Sequence, residues 1–128
     1  MAVEAVLAVL WLPIAISGVL TAGAWTYRDA RARGMGTVSP IWGIAVAGFI
    51  LLAPVYLVLR SRLGERDDPV SPTDRTLGVW SIGAVLSVVL AVVVAPPDPV
   101  TTGWYLLGLF PVGIIIGYAV VYREALFG

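Results

Sequence analysis

The 128-residue sequence contains no cysteine, histidine, lysine, asparagine or glutamine. Without cysteine and histidine, the usual ligands of zinc, haem and iron–sulfur clusters are missing. The same absence excludes disulfides as well as cysteine–histidine and serine–histidine–aspartate catalysis. The lack of lysine excludes a Schiff base and a Walker-type phosphate loop. We therefore predict that the protein is not an enzyme and that it holds no metal and no cofactor.

Charged residues are also scarce. They form 12% of the chain, whereas hydrophobic residues form 59%, and soluble domains usually carry roughly 25% charged residues. A surface of that composition needs a lipid bilayer as its solvent. Eight arginines balance eight acidic residues, so no net charge attracts nucleic acid. Membrane lipid is the expected partner.

Four long segments carry no charge, and each is long enough for a membrane helix of about 20 residues. The sequence therefore predicts an all-α fold: a four-helix transmembrane bundle with short loops. We expect one integral membrane domain over residues 1–128, with spans at about 5–26, 41–60, 76–96 and 102–122. The first span should be retained rather than cleaved as a signal peptide, because no basic side chain precedes it.

Helix starts are marked by a capping residue followed by proline. This pattern occurs three times, at Ser39-Pro40, Ser71-Pro72 and Asp98-Pro99. Asp74, three residues after Ser71, adds a carboxylate that a helix N-terminus favours. Three other prolines fall inside the predicted spans and should bend them: Pro13, Pro54 and Pro111.

The orientation follows from aromatic and basic residues near the span ends. With four spans, Trp25 and Trp42 fall at one membrane interface and Tyr56 toward the other. Five arginines then share a side with both termini, and three lie on the opposite side. The positive-inside rule predicts a multi-pass cell-membrane protein with cytoplasmic termini. The first span alone argues for the reverse, because its basic residues all follow it.

The turn after the first span is the candidate functional site. Its arginines could grip lipid phosphates, with the aspartate orienting one of them. Alternatively, they only anchor two helix ends and extend toward the head groups. The candidate lipid head-group or interface residues are Trp25, Arg28, Asp29, Arg31, Arg33 and Trp42.

A Gly-x-x-x-Gly pattern in the fourth predicted span is the candidate for close helix packing. Gly113 and Gly117 expose one small strip of backbone that another helix can approach. The partner helix belongs either to the same bundle or to a second copy of the chain, and the pattern does not distinguish them.

The link between the second and third predicted spans carries a cluster of charge. Residues 65–68 are Glu-Arg-Asp-Asp, and they lack the spacing and the glycine of a calcium loop. Two prolines follow closely. We expect a hydrated, irregular connection rather than a cation site.

Residues 27–60 resemble a hairpin of uncharacterised small multi-span membrane proteins of halophilic archaea. The resemblance is carried by Tyr27, Asp29, Ala30, Arg33, Gly34, Pro40, Trp42, Pro54, Tyr56, Leu57 and Arg60. The hairpin is also similar to the two-helix membrane anchor that precedes phospholipase D-type and cardiolipin-synthase-type catalytic domains. The resemblance implies an archaeal, halophilic source and an anchoring role. The histidine–lysine motifs of those catalytic domains are absent, so it implies none of their activity.

No acidic or basic side chain lies in the interior of a predicted span, since Arg60 is at the very end of the second, and this argues against ion-coupled transport. We predict a non-enzymatic small polytopic membrane protein that is a structural or accessory subunit of a membrane assembly, either a homo-oligomer or a larger complex. The alternative is a passive channel or carrier for a small solute. Its path would be lined by Ser17, Thr21, Ser81 or Ser87. A lipid-modifying enzyme built on Asp29 and Arg31 would lack an activated nucleophile.

Overall fold

The computed structural model describes residues 2–63 and 69–123. Regular structure in these residues is helical throughout, which confirms the all-α prediction. The charged cluster at residues 65–68 lies outside the described residues. The helices are α1 (Ala2–Val9), α2 (Trp11–Ala32), α3 (Val38–Gly48), α4 (Leu52–Leu63), α5 (Pro72–Val94) and α6 (Pro99–Val121).

Three helical stretches are long and apolar enough to cross a membrane, and they support a membrane-embedded protein. They are Ala2–Ala32, Pro72–Val94 and Pro99–Val121. The first joins α1 and α2, which only Leu10 separates. Pro13 explains that interruption, because it has no N–H to donate to the carbonyl four residues earlier. The predicted count of four spans is not confirmed.

The region predicted as the second span, residues 41–60, is interrupted at residues 49–51. Phe49 is extended, with φ −143° and ψ 92°, and ends α3. Pro54 lies in the first turn of α4, where its missing N–H costs no helical hydrogen bond. The prediction that Pro54 bends a continuous helix is therefore wrong, because Pro54 lies near the start of a separate helix. With 11 and 12 residues, α3 and α4 are each only about 16–18 Å long.

The chain reverses direction between α3 and α4. The ring centroids of Trp42 and Tyr56 lie 5.2 Å apart, although a continuous helix would separate these positions by about 21 Å. The two short helices therefore form a hairpin. The prediction that Tyr56 and Trp42 lie at opposite interfaces is wrong, because the break returns Tyr56 to the level of Trp42.

Two of the three predicted helix starts are confirmed. At α5 the Ser71 amide donates to Asp74 Oδ2 and the Asp74 amide donates to Ser71 Oγ, each at 3.1 Å, which is a reciprocal capping box. At α6 the amide of Thr101 donates to Asp98 Oδ2 at 3.3 Å. The Thr101 hydroxyl also donates to this carboxylate, and these hydrogen bonds lower the pKa of Asp98 below its ordinary value of 3.8.

The predicted cap at Ser39 is wrong. Helix α3 begins at Val38, and Thr37 occupies the N-cap position without a side-chain cap bond. Gly34 and Gly36 have φ of 78° and 56°, a conformation that glycine adopts at low cost, so the turn is tighter than the sequence pattern suggested. Ser39 is therefore inside the helix and fully buried, and its hydroxyl has no hydrogen-bond partner among the residues that the structure describes.

The described helices divide between two compact units. The first comprises residues 1–18 and 79–128. Within it α5 and α6 run antiparallel, because a Cβ added at Gly113 would lie 2.6 Å from the Gly83 carbonyl oxygen and one at Gly117 would lie 2.7 Å from the Val79 carbonyl oxygen. In addition, Leu7 of α1 packs against Gly103 of α6. Small residues thus allow close backbone contact in this unit.

The second unit comprises residues 19–78. Its core joins the second half of α2 to the α3–α4 hairpin. A Cβ added at Gly23 would lie 2.7 Å from the Gly43 carbonyl oxygen, so α2 and α3 are also in close contact. Val46 and Tyr56 are fully buried here, together with the small Ala30. This unit contains the candidate site.

Candidate functional site: an arginine-rich cavity where α2 ends

Asp29 is the buried centre of the predicted turn. Its side chain is 1% exposed, and Arg33, one helical turn later, donates from Nε to Asp29 Oδ2 at 2.9 Å. Tyr56 donates its hydroxyl to the same oxygen at 2.6 Å. A buried carboxylate requires such partners, because desolvation without them is costly. Asp29 therefore connects the end of α2 to α4.

Two tryptophans enclose the Tyr56 ring. Trp25 contacts it edge-on, with ring centroids 6.2 Å apart, and Trp42 contacts it at 5.2 Å. Edge-to-face contacts of this kind stabilise beyond the area that they bury. Trp25 and Trp42, predicted as interface residues, thus also hold Tyr56 in position beside Asp29.

Arg28 points toward a different neighbour from Arg33. Its Nε donates to Asp74 Oδ1 at 2.5 Å, and its Nη2 donates to Ser71 Oγ at 3.2 Å. Asp74 and Ser71 are the two members of the capping box that begins α5. The end of α2 therefore meets the start of α5, through an ion pair whose arginine is 42% exposed and whose aspartate is 6% exposed.

Between these helix ends lies a cavity of about 250 Å³, hereafter the arginine cavity. Its lining includes Tyr27, Arg28, Arg31, Ser71 and Asp74. Arg31 is exposed and donates from Nη1 to the Tyr27 hydroxyl at 3.3 Å. Each guanidinium has five N–H donors, so both arginines retain donors that these hydrogen bonds do not use.

A second, apolar depression runs between α2 and α3, hereafter the small-residue groove. It has a volume of about 310 Å³, and its lining includes Leu20, Gly23, Ala24, Tyr27, Gly43 and Ala47. Tyr27 lines both the groove and the arginine cavity. The groove exists because the facing residues of the two helices are small.

The six predicted interface residues thus separate into two groups. Asp29 and Arg33 pair with each other beside Tyr56, which Trp25 and Trp42 enclose, whereas Arg28 and Arg31 line the cavity. Gly113 and Gly117 lie elsewhere, both buried against α5 of the same chain. Among residues 2–63 and 69–123, no group of three acidic side chains is close enough to hold a metal ion.

Three residues that complete the site were not singled out for it from sequence. Tyr56, Ser71 and Asp74 join it from 27 to 46 residues away along the chain. Ser71 and Asp74 had a local explanation as a helix cap, and Tyr56 was assigned to the other interface. No local pattern brings them to α2, because the α3–α4 hairpin does so.

The chain was compared with family models, characterised proteins and solved structures. No family model matches the chain, and no characterised protein or solved structure matches it.

Proposed function

We propose that the protein is a non-enzymatic, multi-pass membrane protein that acts as a structural or accessory subunit of a membrane assembly. The main support is that charged side chains of the described residues bond to partners on other helices or on the next helical turn. Arg33 and Tyr56 both donate a hydrogen bond to Asp29, and Arg28 pairs with Asp74. Carriers usually keep an acid or base at membrane depth for their ion, whereas these groups hold helices together.

The exposed surface of the helices supports the same role. Large apolar side chains project outward along them, including Ile44 at 73% and Ile115 at 68% exposure. Exposure of so continuous an apolar surface to water is unfavourable, whereas its contact with lipid tails or partner helices is not. The surface therefore suits a bilayer and offers helix faces to a larger complex.

The channel alternative gains no support from its proposed lining. The Ser17 hydroxyl donates to the Ile14 carbonyl, and the Ser87 hydroxyl donates to the Ala84 carbonyl, each at 2.9 Å. Such hydrogen bonds satisfy hydroxyls within their own helix. Ser17 also accepts from Trp80 Nε1 at 2.9 Å, which places a large ring beside it rather than an open path.

We further propose three membrane crossings with α3–α4 as a re-entrant hairpin. The Arg28–Asp74 pair brings the end of α2 and the start of α5 to one side of the membrane, so the chain between them enters and leaves on that side. The hairpin tip, residues 49–51, is Phe-Ile-Leu, and Phe49 and Leu51 are 56% and 66% exposed. Exposed apolar residues suit a tip that lies in hydrocarbon.

The distribution of arginine supports this topology. With three crossings, all eight arginines of the sequence fall on one side: Arg28, Arg31, Arg33, Arg60, Arg62, Arg66, Arg75 and Arg123. The ionisable side chains that fall on the other side are Glu4 and Asp98. The positive-inside rule then favours a cytoplasmic α2–α5 side and a non-cytoplasmic start of α1. The four-crossing arrangement gives a weaker division of five against three.

The accessory role is tested by extracting the tagged protein from its native membrane in mild detergent. Native mass spectrometry should show a species heavier than one 13.5 kDa chain, and the added mass should be protein. Treatment with a harsh detergent should return the single chain. A strictly monomeric species with no co-purifying protein would contradict the proposal.

A further inference from the structure

We propose that the arginine cavity binds a phosphate group, and that the small-residue groove holds an acyl chain of the phospholipid that carries it. The proposal rests on the multi-pass membrane assignment, because the groove meets lipid only if α2 and α3 lie in the bilayer. It assigns a ligand class to two neighbouring features, a polar cavity and an apolar groove, that helix packing alone does not require.

The cavity has the donors that a phosphate needs. Asp74 and Ser71 hold one edge of the Arg28 guanidinium, which fixes its plane while Nη1 has no acceptor among the described residues. Arg31 makes one long hydrogen bond, to Tyr27. Planar guanidinium groups pair with phosphate oxygens through parallel N–H donors. Among the described residues that line the cavity, two arginines face one carboxylate, so these side chains carry a net positive charge.

The order of residues along α2 favours a lipid over a free anion. Leu20 and Ala24 line the groove, Tyr27 lines both features, and Arg31 lines the cavity. Their spacing of four, three and four residues places them on one helix face, over a length of about 16 Å. A free phosphate would use only the charged end of this face, whereas a phospholipid would use all of it.

The position relative to the membrane agrees with this ligand. Trp25 and Trp42 lie near the same end of α2, and tryptophan is typical of the head-group level. On the proposed topology this end is cytoplasmic, where anionic phospholipids attract basic residues. The expected ligand is an anionic phospholipid with a single net charge on its phosphate, such as phosphatidylglycerol.

Native mass spectrometry of the purified full chain measures retention of added lipid. Phosphatidylglycerol should bind more tightly than phosphatidylcholine with the same acyl chains. Arg31→Gln should weaken its binding about tenfold, the change that follows from losing roughly 1.4 kcal/mol. Arg123→Gln is the matched control, because it removes an exposed arginine that does not line the cavity, and it should bind as the original chain does.

Arg31 is exposed, so Arg31→Gln should fold normally, and an unchanged elution profile and melting temperature check this. Equal retention of the two lipids, or equal effects of Arg31→Gln and Arg123→Gln, would overturn the proposal. Neither result would contradict the accessory role, because that role is tested by the protein that co-purifies from the native membrane. Conversely, a strictly monomeric chain that still retains phosphatidylglycerol would contradict only the accessory role.

Two further arms separate lipid from a free anion. Ala24→Leu, which fills the groove, should weaken phosphatidylglycerol binding, whereas Ala5→Leu at an exposed position on α1 should not. Inorganic phosphate at the lipid's concentration should displace it poorly. Full displacement by inorganic phosphate, together with no effect of Ala24→Leu, would overturn the lipid assignment and make a free phosphate anion the ligand.

Discussion

At the scale of single residues, Asp29 is a charged group that the fold buries almost completely. Its carboxylate is almost fully buried and shares Oδ2 between Arg33 and Tyr56. Removing one partner from a buried charge leaves the remaining charge poorly compensated, at a cost of about 3–5 kcal/mol for a buried ion pair. These three residues therefore constrain each other much more strongly than an exposed pair would.

Tyr56→Phe should destabilise the protein by about 1–3 kcal/mol, because it removes a hydrogen bond to a buried carboxylate and keeps the ring. A lower melting temperature in detergent measures the effect. Tyr105→Phe provides the control, since Tyr105 is 40% exposed, and it should change stability little. Equal melting temperatures for the two variants would mean that the Tyr56 hydroxyl does not support Asp29.

At the scale of elements, helix contacts in both units depend on glycine. In the first unit α5 and α6 approach so closely that a methyl group at Gly113 would meet the Gly83 carbonyl. In the second, α2 and α3 meet at Gly23 and Gly43. Apolar burial drives helix association only weakly in lipid, so close backbone packing contributes much of the stability.

Gly113→Ala should separate α5 from α6 and destabilise the protein by about 1–3 kcal/mol, the usual cost of overpacking. Gly108→Ala on the same helix should be neutral or stabilise by up to about 1 kcal/mol, because it has open space and alanine favours helix. Thermal unfolding in detergent compares the two. If Gly113→Ala instead lowers oligomer mass without lowering the melting temperature, this glycine contacts a second chain.

The α3–α4 hairpin brings together residues that lie far apart in the sequence. Its chain reversal carries Tyr56 back to Asp29. Part of the backbone at the break is hydrogen-bonded, since the Phe49 amide donates to the Ala45 carbonyl and the Leu52 amide donates to the Phe49 carbonyl. Such hydrogen bonds lower the cost of non-helical backbone at membrane depth, which favours a re-entrant tip over an unbonded one.

At the scale of the whole molecule, the number of crossings determines which segments share a side of the membrane. Four crossings would place the α2–α3 turn with the loop before α6, and the start of α1 with the α4–α5 link. Three crossings would instead place the α2–α3 turn with the α4–α5 link, and the start of α1 with the loop before α6. The native chain has no cysteine, so single introduced cysteines report their own side without background.

We expect Ala2→Cys and Pro97→Cys to react with a membrane-impermeant maleimide in intact cells. Thr37→Cys and Val70→Cys should react only after permeabilisation, because three crossings place them in the cytoplasm. All four positions are exposed, and the chain without cysteine controls for background. Labelling that pairs position 37 with position 97 would restore the four-crossing arrangement.

Much of the local structure could be predicted because it depends on neighbouring residues. Ser71 and Asp74 form their capping box from a four-residue pattern, and Asp98 caps α6 in the same way. Long uncharged segments likewise predict helices whatever surrounds them. The Ser39 cap was wrong because two glycines with positive φ shifted the turn, and those dihedral angles are not encoded in a capping pattern.

By itself, the sequence determined the helical class and indicated a lipid solvent, since both follow from composition and hydropathy. Only the tertiary structure decided which side chains meet. Residues 41–60 are apolar enough to span a membrane, and hydropathy does not distinguish a span from a hairpin of the same length. The break before Pro54 brings Tyr56 to Asp29, and the end of α2 meets Asp74 at the start of α5. The arginine cavity results from these distant contacts.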